Sequence, residues 1–176
     1  MKFWLISDTH FNHTQKMMEW CGRPANYEQQ LFDNMMAIPK EDVLIHLGDI
    51  LIGKDEEMHA RYIQPLQCKK WLAKGNHDHK SYSWYLTHGW DAVSEEFKLF
   101  YGGKRIVFTH IPVPHRTDFD LNIHGHFHNT DHRSQEPEIV AFYTEDHHKL
   151  VSSEHLNYKS ILLDRFMQAD LLTPNT

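Results

Sequence analysis

The sequence predicts an α/β fold with parallel strands, and three observations carry that reading. Short aliphatic runs alternate with amphipathic stretches through the first half of the chain, the pattern of strand–helix–strand units that build a parallel sheet. Several of these runs end in a short signature rich in Asp, Asn, His and Gly, the place where α/β folds bind ligands, beyond the carboxyl ends of their strands. A length of 176 residues suits one compact domain with a real core, expected over residues 1–172 with 173–176 as a short tail.

The elements follow in order. Residues 2–7 are an apolar first strand ending at Asp8-Thr9-His10. Thr14 is placed to cap a short helix to about Trp20, stopped by Gly22 and Pro24. Asn26 with Gln29 three residues on forms a capping-box pattern for a second helix, whose Leu31, Met35 and Ile38 keep helical spacing until Pro39. Val43 to Leu47 is a buried-strand pattern running into Gly48-Asp49. A helix from Asp55 to Gln64 breaks at Pro65, and Lys70 to Ala73 is a strand opening into Gly75-Asn76-His77-Asp78. Ser81 to His88 reads as a helix. Strands 97–101 and 105–108 flank Gly102-Gly103, a hairpin signal, and the second leads to Thr109-His110. Asp120 to Ile123 is a strand that delivers His124-Gly125-His126-Phe127-His128. Residues 129–149 read as a loop containing a strand, Tyr158 to Leu163 as a last strand, and Asp164 to Leu172 as a terminal helix.

Composition excludes several classes. Apolar residues make up 40% and charged residues 24%, ordinary globular usage that argues against disorder. The formal charge of −6 includes no basic run, which disfavours capture of long nucleic acid. No apolar stretch reaches membrane-spanning length, and the N-terminal apolar run is too short for a signal peptide. Cys21 and Cys68 give no disulfide framework; both are expected to be reduced and buried, which fits a cytoplasmic protein.

The abnormal count is histidine, with 16 residues. His126 and His128 are two apart, so on an extended backbone both face one point, and imidazoles gathered in this way hold metals. Asp8/His10, Asp49, Asn76/His77 and His110 sit at other strand ends. A single Asp-x-His is no more than a turn signal, whereas five coincidences at strand ends point to one site.

In this order, Asp8-Thr9-His10, Gly48-Asp49, Gly75-Asn76-His77-Asp78, His110 and Gly125-His126-Phe127-His128 resemble the signatures of the calcineurin-like metallophosphoesterase superfamily, over about residues 3–128. Glu154-His155-Leu156-Asn157-Tyr158 is similar to the closing strand of small bacterial and phage members. The resemblance implies a four-layer αββα sandwich with mixed sheets and two metals between them. Asp8, His10 and His128 would take one metal; Asn76, His110 and His126 would take the other; Asp49 would bridge. A donor set of carboxylate, amide and imidazole suits two divalent transition-metal ions, drawn from Mn²⁺, Fe, Zn²⁺, Ni²⁺ or Co²⁺.

The activity implied is hydrolysis of a phosphoric ester by a metal-bridging hydroxide. The run Gly48-Asp49-Ile50-Leu51-Ile52-Gly53 lacks the arginine that large phosphatases of the superfamily carry there. That favours a small phosphodiester or nucleotide-like substrate over a monoester. The rival readings are a phosphomonoesterase, a short-oligonucleotide nuclease and a non-catalytic metal-binding scaffold. His77 follows Asn76 directly, so on extended backbone it faces away from the metal that Asn76 meets, and it is expected to be catalytic, with Asp49 or Asp78 beside it. His13 and His79 are candidates to reach the substrate, and Arg23 and Arg116 to contact its phosphate. His124 is expected to support the ligands without binding metal, and His46 to be core. His59, His88, His115, His132, His147, His148 and His155 read as surface or structural.

Overall fold

The computed structural model describes residues 1–129 and 136–168. His132, the end of the expected terminal helix and the tail 173–176 lie outside the described residues. The first sheet contains β1 (Phe3–Ile6), β2 (Val43–His46), β3 (Lys69–Ala73), β4 (Ala92–Ser94) and β9 (Ile161–Leu162), in the order β4-β3-β2-β1-β9. β1 to β4 are mutually parallel and β9 runs antiparallel to β1. The second sheet contains β5 (Glu96–Tyr101), β6 (Lys104–Thr109), β7 (Leu121–His124) and β8 (His148–Leu150), in that order. β5 and β6 form an antiparallel hairpin; β6, β7 and β8 are parallel. Gly102 and Gly103 both have positive φ, 57° and 79°, which is what a two-residue hairpin turn requires.

The alternation of side chains along each strand divides the interior in two. Leu5, Val43, Ile45 and Ala73 face Ile106, Phe108, Leu121 and Ile123 of the second sheet, joined by Leu163 and Phe166. The intervening residues Ile6, Leu44 and Leu72 pack with Leu31, Met35, Tyr62 and Ile63. Those last four come from α2 (Tyr27–Met36) and from the π-helical turn His59–Ile63 that continues α3 (Asp55–Met58). With α1 (Thr14–Cys21) and α4 (Tyr82–Thr87), they form the helical layer over the first sheet. On the far face of the second sheet stand Asn122, His124 and His148, covered by Tyr143 and its neighbours after a short helix, α5 (Pro137–Val140). The architecture is thus two mixed sheets with helices, an α/β sandwich, and its outer layer is thin among the described residues. α6 (Leu163–Gln168) docks Leu163 and Phe166 into the inter-sheet core.

Several local expectations are corrected. Neither Thr14 nor Asn26 caps its helix with a side chain. Thr14 Oγ1 instead donates to Glu28 at 2.6 Å, and Gln29 pairs with Asp33 and not with the helix start. The closing strand shrinks to two residues, because Asn157 and Tyr158 have positive φ and residues 153–158 form a turn. β4 was not expected; its three residues are half-buried at the sheet edge, too short a run to show a period.

Candidate metal centre

β1, β2, β3, β6 and β7 each end at the same side of the sandwich, and the polar signatures follow them directly. The turns are tight. Asp8, His10, Asp49, His126 and His128 all have positive φ, a conformation that costs non-glycine residues free energy and gathers at functional sites. Two glycines permit the closeness. A Cβ on Gly75 would overlap the carboxylate and amide of Asp49, and one on Gly125 would overlap Ser7 Oγ and Asp8 Oδ2.

Each aspartate spends one oxygen on structure and leaves the other facing inward. Asp8 Oδ2 accepts from Ser7 Oγ at 2.5 Å and from the His126 amide at 3.0 Å. Asp8 Oδ1 is buried with no hydrogen-bond partner, and lies 3.5 Å from His128 Nε2 and 3.9 Å from His10 Nε2. Asp49 Oδ1 accepts from the His77 amide at 2.9 Å. Its Oδ2 stands 3.7 Å from His10 Nε2 and 3.4 Å from His110 Nε2, so one oxygen faces both groups of ligands.

The second group closes around His110. Nδ1 of His110 lies 2.7 Å from the Leu47 carbonyl, which can only accept, so Nδ1 carries a proton. Nε2 then points at Asn76 Oδ1, 2.9 Å away, and at His126 Nδ1, 3.2 Å away. On the first side His10 Nε2 and His128 Nε2 are 3.3 Å apart. Donors bound to one ion at ~2.0–2.2 Å stand about 3–3.5 Å from each other. The unpartnered Asp8 oxygen and the facing lone pairs therefore suit divalent metal, with Asp8, His10 and His128 forming one candidate group and Asp8, Asp49 and His110 another.

The electrostatics agree. Burial opposes a charged His110, yet the hydrogen bond and charge of Asp49 override it and raise its pKa to about 9. Burial likewise opposes a charged His128, yet Asp8, Cys21 and Glu154 raise it to about 10. Burial works against the Asp49 carboxylate too, but His110 and His10 hold its pKa well below the usual range. His10 is pushed the other way, burial holding it well below its ordinary value, so protons sit unevenly among these imidazoles, and a divalent ion would have to displace those on His110 and His128.

Residues 1–166 of the chain match the model of the calcineurin-like phosphoesterase family. The chain belongs to that family. Its members are metal-dependent phosphoesterases, and candidate His and Asp ligands for divalent metal are in place here. An uncharacterized protein of Methanocaldococcus jannaschii is 29% identical over 172 residues, covering 93% of this chain and 88% of the relative. The crystal structure of a protein of unknown function from Aquifex aeolicus superposes with a TM-score of 0.73 at 24% identity, covering 95% of this chain and 98% of the other. No helix among the described residues of this phosphoesterase is long and apolar enough to cross a membrane.

The structure brings the seven expected ligands together, but not by the route that alternation gave. His126 and His128 lie on left-handed backbone and face different groups: Nδ1 of His126 meets His110, while Nε2 of His128 meets His10. His77 sits on the rim with its side chain 38% exposed and Nε2 3.8 Å from Asp49 Oδ2. Its ring is 5.7 Å from that of His10. Asp78 does not face it. That carboxylate accepts from the amides of Asp49, Ile50 and Gly75, and burial, with the charge of Asp49, raises its pKa to about 6. His13 borders the site, its ring 6.1 Å from His10; His79 lies further out, 6.4 Å from His77. His124 contacts Tyr143 and its own neighbour Gly125, and His46 is buried against Thr9.

The two arginines are both engaged by carboxylates. Arg23 has a fully buried side chain paired with Glu154 at 2.6 Å, and it donates to the carbonyls of Asp8 and Thr9; it lies behind the ligands and cannot touch a phosphate. Arg116 is turned to Glu96 and Asp118. The residue that sequence reasoning missed is Glu154. Its Oε1 lies 3.1 Å from His128 Nδ1, the carboxylate–imidazole pairing that orients metal-binding histidines. Glu136 stands similarly, 3.2 Å from His126 Nε2. The only sequence signal for Glu154 was the resemblance of residues 154–158 to a closing segment.

Proposed function

We propose that this chain hydrolyses phosphodiesters with two divalent metal ions at the strand ends. The observation that carries the reading is Asp49 Oδ2, a single buried oxygen that faces His10 on one side and His110 on the other. When bound, the ions supply charge neutralisation at the phosphoryl oxygens and a nucleophile at neutral pH. The protein's own part is positional. Ser7 and the His126 amide fix Asp8, the His77 amide fixes Asp49, and the Leu47 carbonyl fixes the tautomer of His110. Glu154, itself held by Arg23, fixes His128 from behind.

His77 is the group left free to touch substrate, exposed at the rim beside Asp49. There it gives a proton to the departing alkoxide, the general-acid role that histidine most often fills. A diester is favoured over a monoester because Arg23 and Arg116, the two arginines expected to contact a phosphate, are committed to carboxylates. With both of these guanidinium groups engaged, neither offers the second negative charge of a monoester a bidentate partner. The test is a comparison of an aryl phosphodiester with the matching monoester under Mn²⁺, Ni²⁺ and Co²⁺. The diester is expected to have the higher kcat/KM; a monoester preference with every metal would reverse the substrate assignment.

A further inference from the structure

Next to the metal centre lies an open cleft of about 290 Å³, walled by Asn76, His110, Ile111, Val113, Lys74 and Glu95. It starts at two of the candidate ligands, so a phosphoryl group held there directs one of its ester arms into the cleft. The volume matches the lower range of small-molecule sites and admits a group of sugar or nucleoside size. Ile111 is 39% exposed and with Val113 offers an apolar wall, while the Thr109 hydroxyl, also in the lining, donates to the Ile111 carbonyl.

The charges around this cleft cancel. Glu95 accepts from the Tyr82 hydroxyl at 2.6 Å, and the Lys74 ammonium lies 5.1 Å from the centre of the same ring. Glu96, also in the lining, pairs with Arg116 at 2.8 Å and with Lys98 at 3.0 Å. Asp118 completes that cluster at 2.6 Å from Lys98. Glu95, Glu96 and Asp118 thus stand against Lys74, Lys98 and Arg116, each cation already facing an acid or an aromatic ring.

Resting on the phosphodiesterase reading, we propose that the cleft seats the uncharged alcohol arm of the diester, an arm of nucleoside or sugar size, and rejects an arm that bears a second phosphate. An anion placed there meets two carboxylates, Glu95 and Glu96, against a single lining cation, Lys74, whose ammonium faces the Tyr82 ring. An uncharged polar arm meets an apolar wall and hydrogen-bonding groups at no electrostatic cost.

The experiment uses the metal-loaded full chain and three chromogenic diesters that share a p-nitrophenyl arm. The other arm is methyl, thymidine through its 5′-oxygen, or the same thymidine with a 3′-phosphate. The thymidine arm is expected to raise kcat/KM over methyl by ~tenfold or more, and the added phosphate to remove that gain. Val113→Trp fills the cleft and is expected to bring the thymidine-to-methyl ratio towards one. Ile111→Lys, at an exposed position that tolerates the change, is expected to raise the phosphorylated arm relative to the plain one. A thymidine arm no better than methyl, or a phosphorylated arm equal to the plain one, overturns the assignment. Equilibrium binding of the same three compounds reads the cleft without turnover. Absence of hydrolysis with the binding order intact overturns only the reaction; equal binding of all three overturns the cleft.

Discussion

Removing the carboxylate of Glu154 should cost this protein a large share of its stability and half of its metal centre. The side chain is 4% exposed, and the Arg23 side chain is completely buried. Glu154 accepts from Arg23 Nε at 2.8 Å and from Ser152 Oγ at 2.7 Å. It also receives Arg23 Nη2 at 2.6 Å and His128 Nδ1 at 3.1 Å. Glu154→Ala leaves the buried guanidinium with the carbonyl dipoles of Asp8 and Thr9 and the Tyr27 ring, and without its carboxylate partner. Leaving one partner of a buried pair uncompensated costs about 3–5 kcal/mol, a fifth or more of the ~5–15 kcal/mol stability of a typical domain.

Denaturant unfolding of the metal-free protein measures that loss directly, and Arg23→Met in the Glu154→Ala background should recover most of it, since no buried charge then remains. The milder Glu154→Gln keeps the shape and serves for function. Affinity at the Asp8, His10 and His128 group should fall ~10–100-fold, the usual effect of losing the partner of a metal-binding imidazole, while the group around His110 is spared. A Glu154→Ala loss below about 1 kcal/mol, the worth of an exposed pair, together with unchanged metal affinity in Glu154→Gln, would refute this reasoning.

Three more outcomes follow from named contacts. Burial of His59 lowers its pKa to about 4, so the folded state binds fewer protons than the unfolded one between pH 6.5 and 4. Stability should therefore fall through that window on acidification, by on the order of 3 kcal/mol from this residue; His59→Leu should flatten the slope, and an unaltered slope would show that the group is not buried neutral. Gly125→Ala drives a methyl into Ser7 Oγ and Asp8 Oδ2 and should cost ~1–3 kcal/mol with weakened metal binding at the Asp8 side, read by unfolding and titration; wild-type behaviour would mean that the turn has slack. His77→Ala should keep its metal content while turnover drops by ~10²–10⁴, less for very acidic leaving groups; loss of a metal would make His77 a ligand.

Much of this site was legible because it is encoded locally. Asp8, Asp49, Asn76, His110 and the histidines after β7 each follow a short apolar strand, and strand order in a parallel sheet brings those ends together regardless of what lies between. What alternation could not supply was direction. Positive φ at His126 and His128 rotates them apart, and nothing in the residue types announces it except the neighbouring glycine. Glu154 and Arg23 were opaque for a different reason, being 131 positions apart and paired through burial, which no local pattern shows. Of the two carboxylates expected beside His77, Asp49 is the one that faces it, because three backbone amides hold Asp78. The missing cap at Thr14 shows a tertiary contact, with Glu28, overriding a local signal, whereas the Asn26 side chain is taken by the Gln30 amide one turn on.

The shared oxygen of Asp49 is the centre of the account, and counting metal equivalents tests it most directly. Calorimetric titration of the metal-free chain with Mn²⁺ or Co²⁺, checked by elemental analysis, is expected to show two equivalents bound. Asp49→Asn, which keeps the shape but removes the bridging charge, is expected to weaken both. Saturation of the wild type at one equivalent, or two ions held by Asp49→Asn with undiminished affinity, would contradict it.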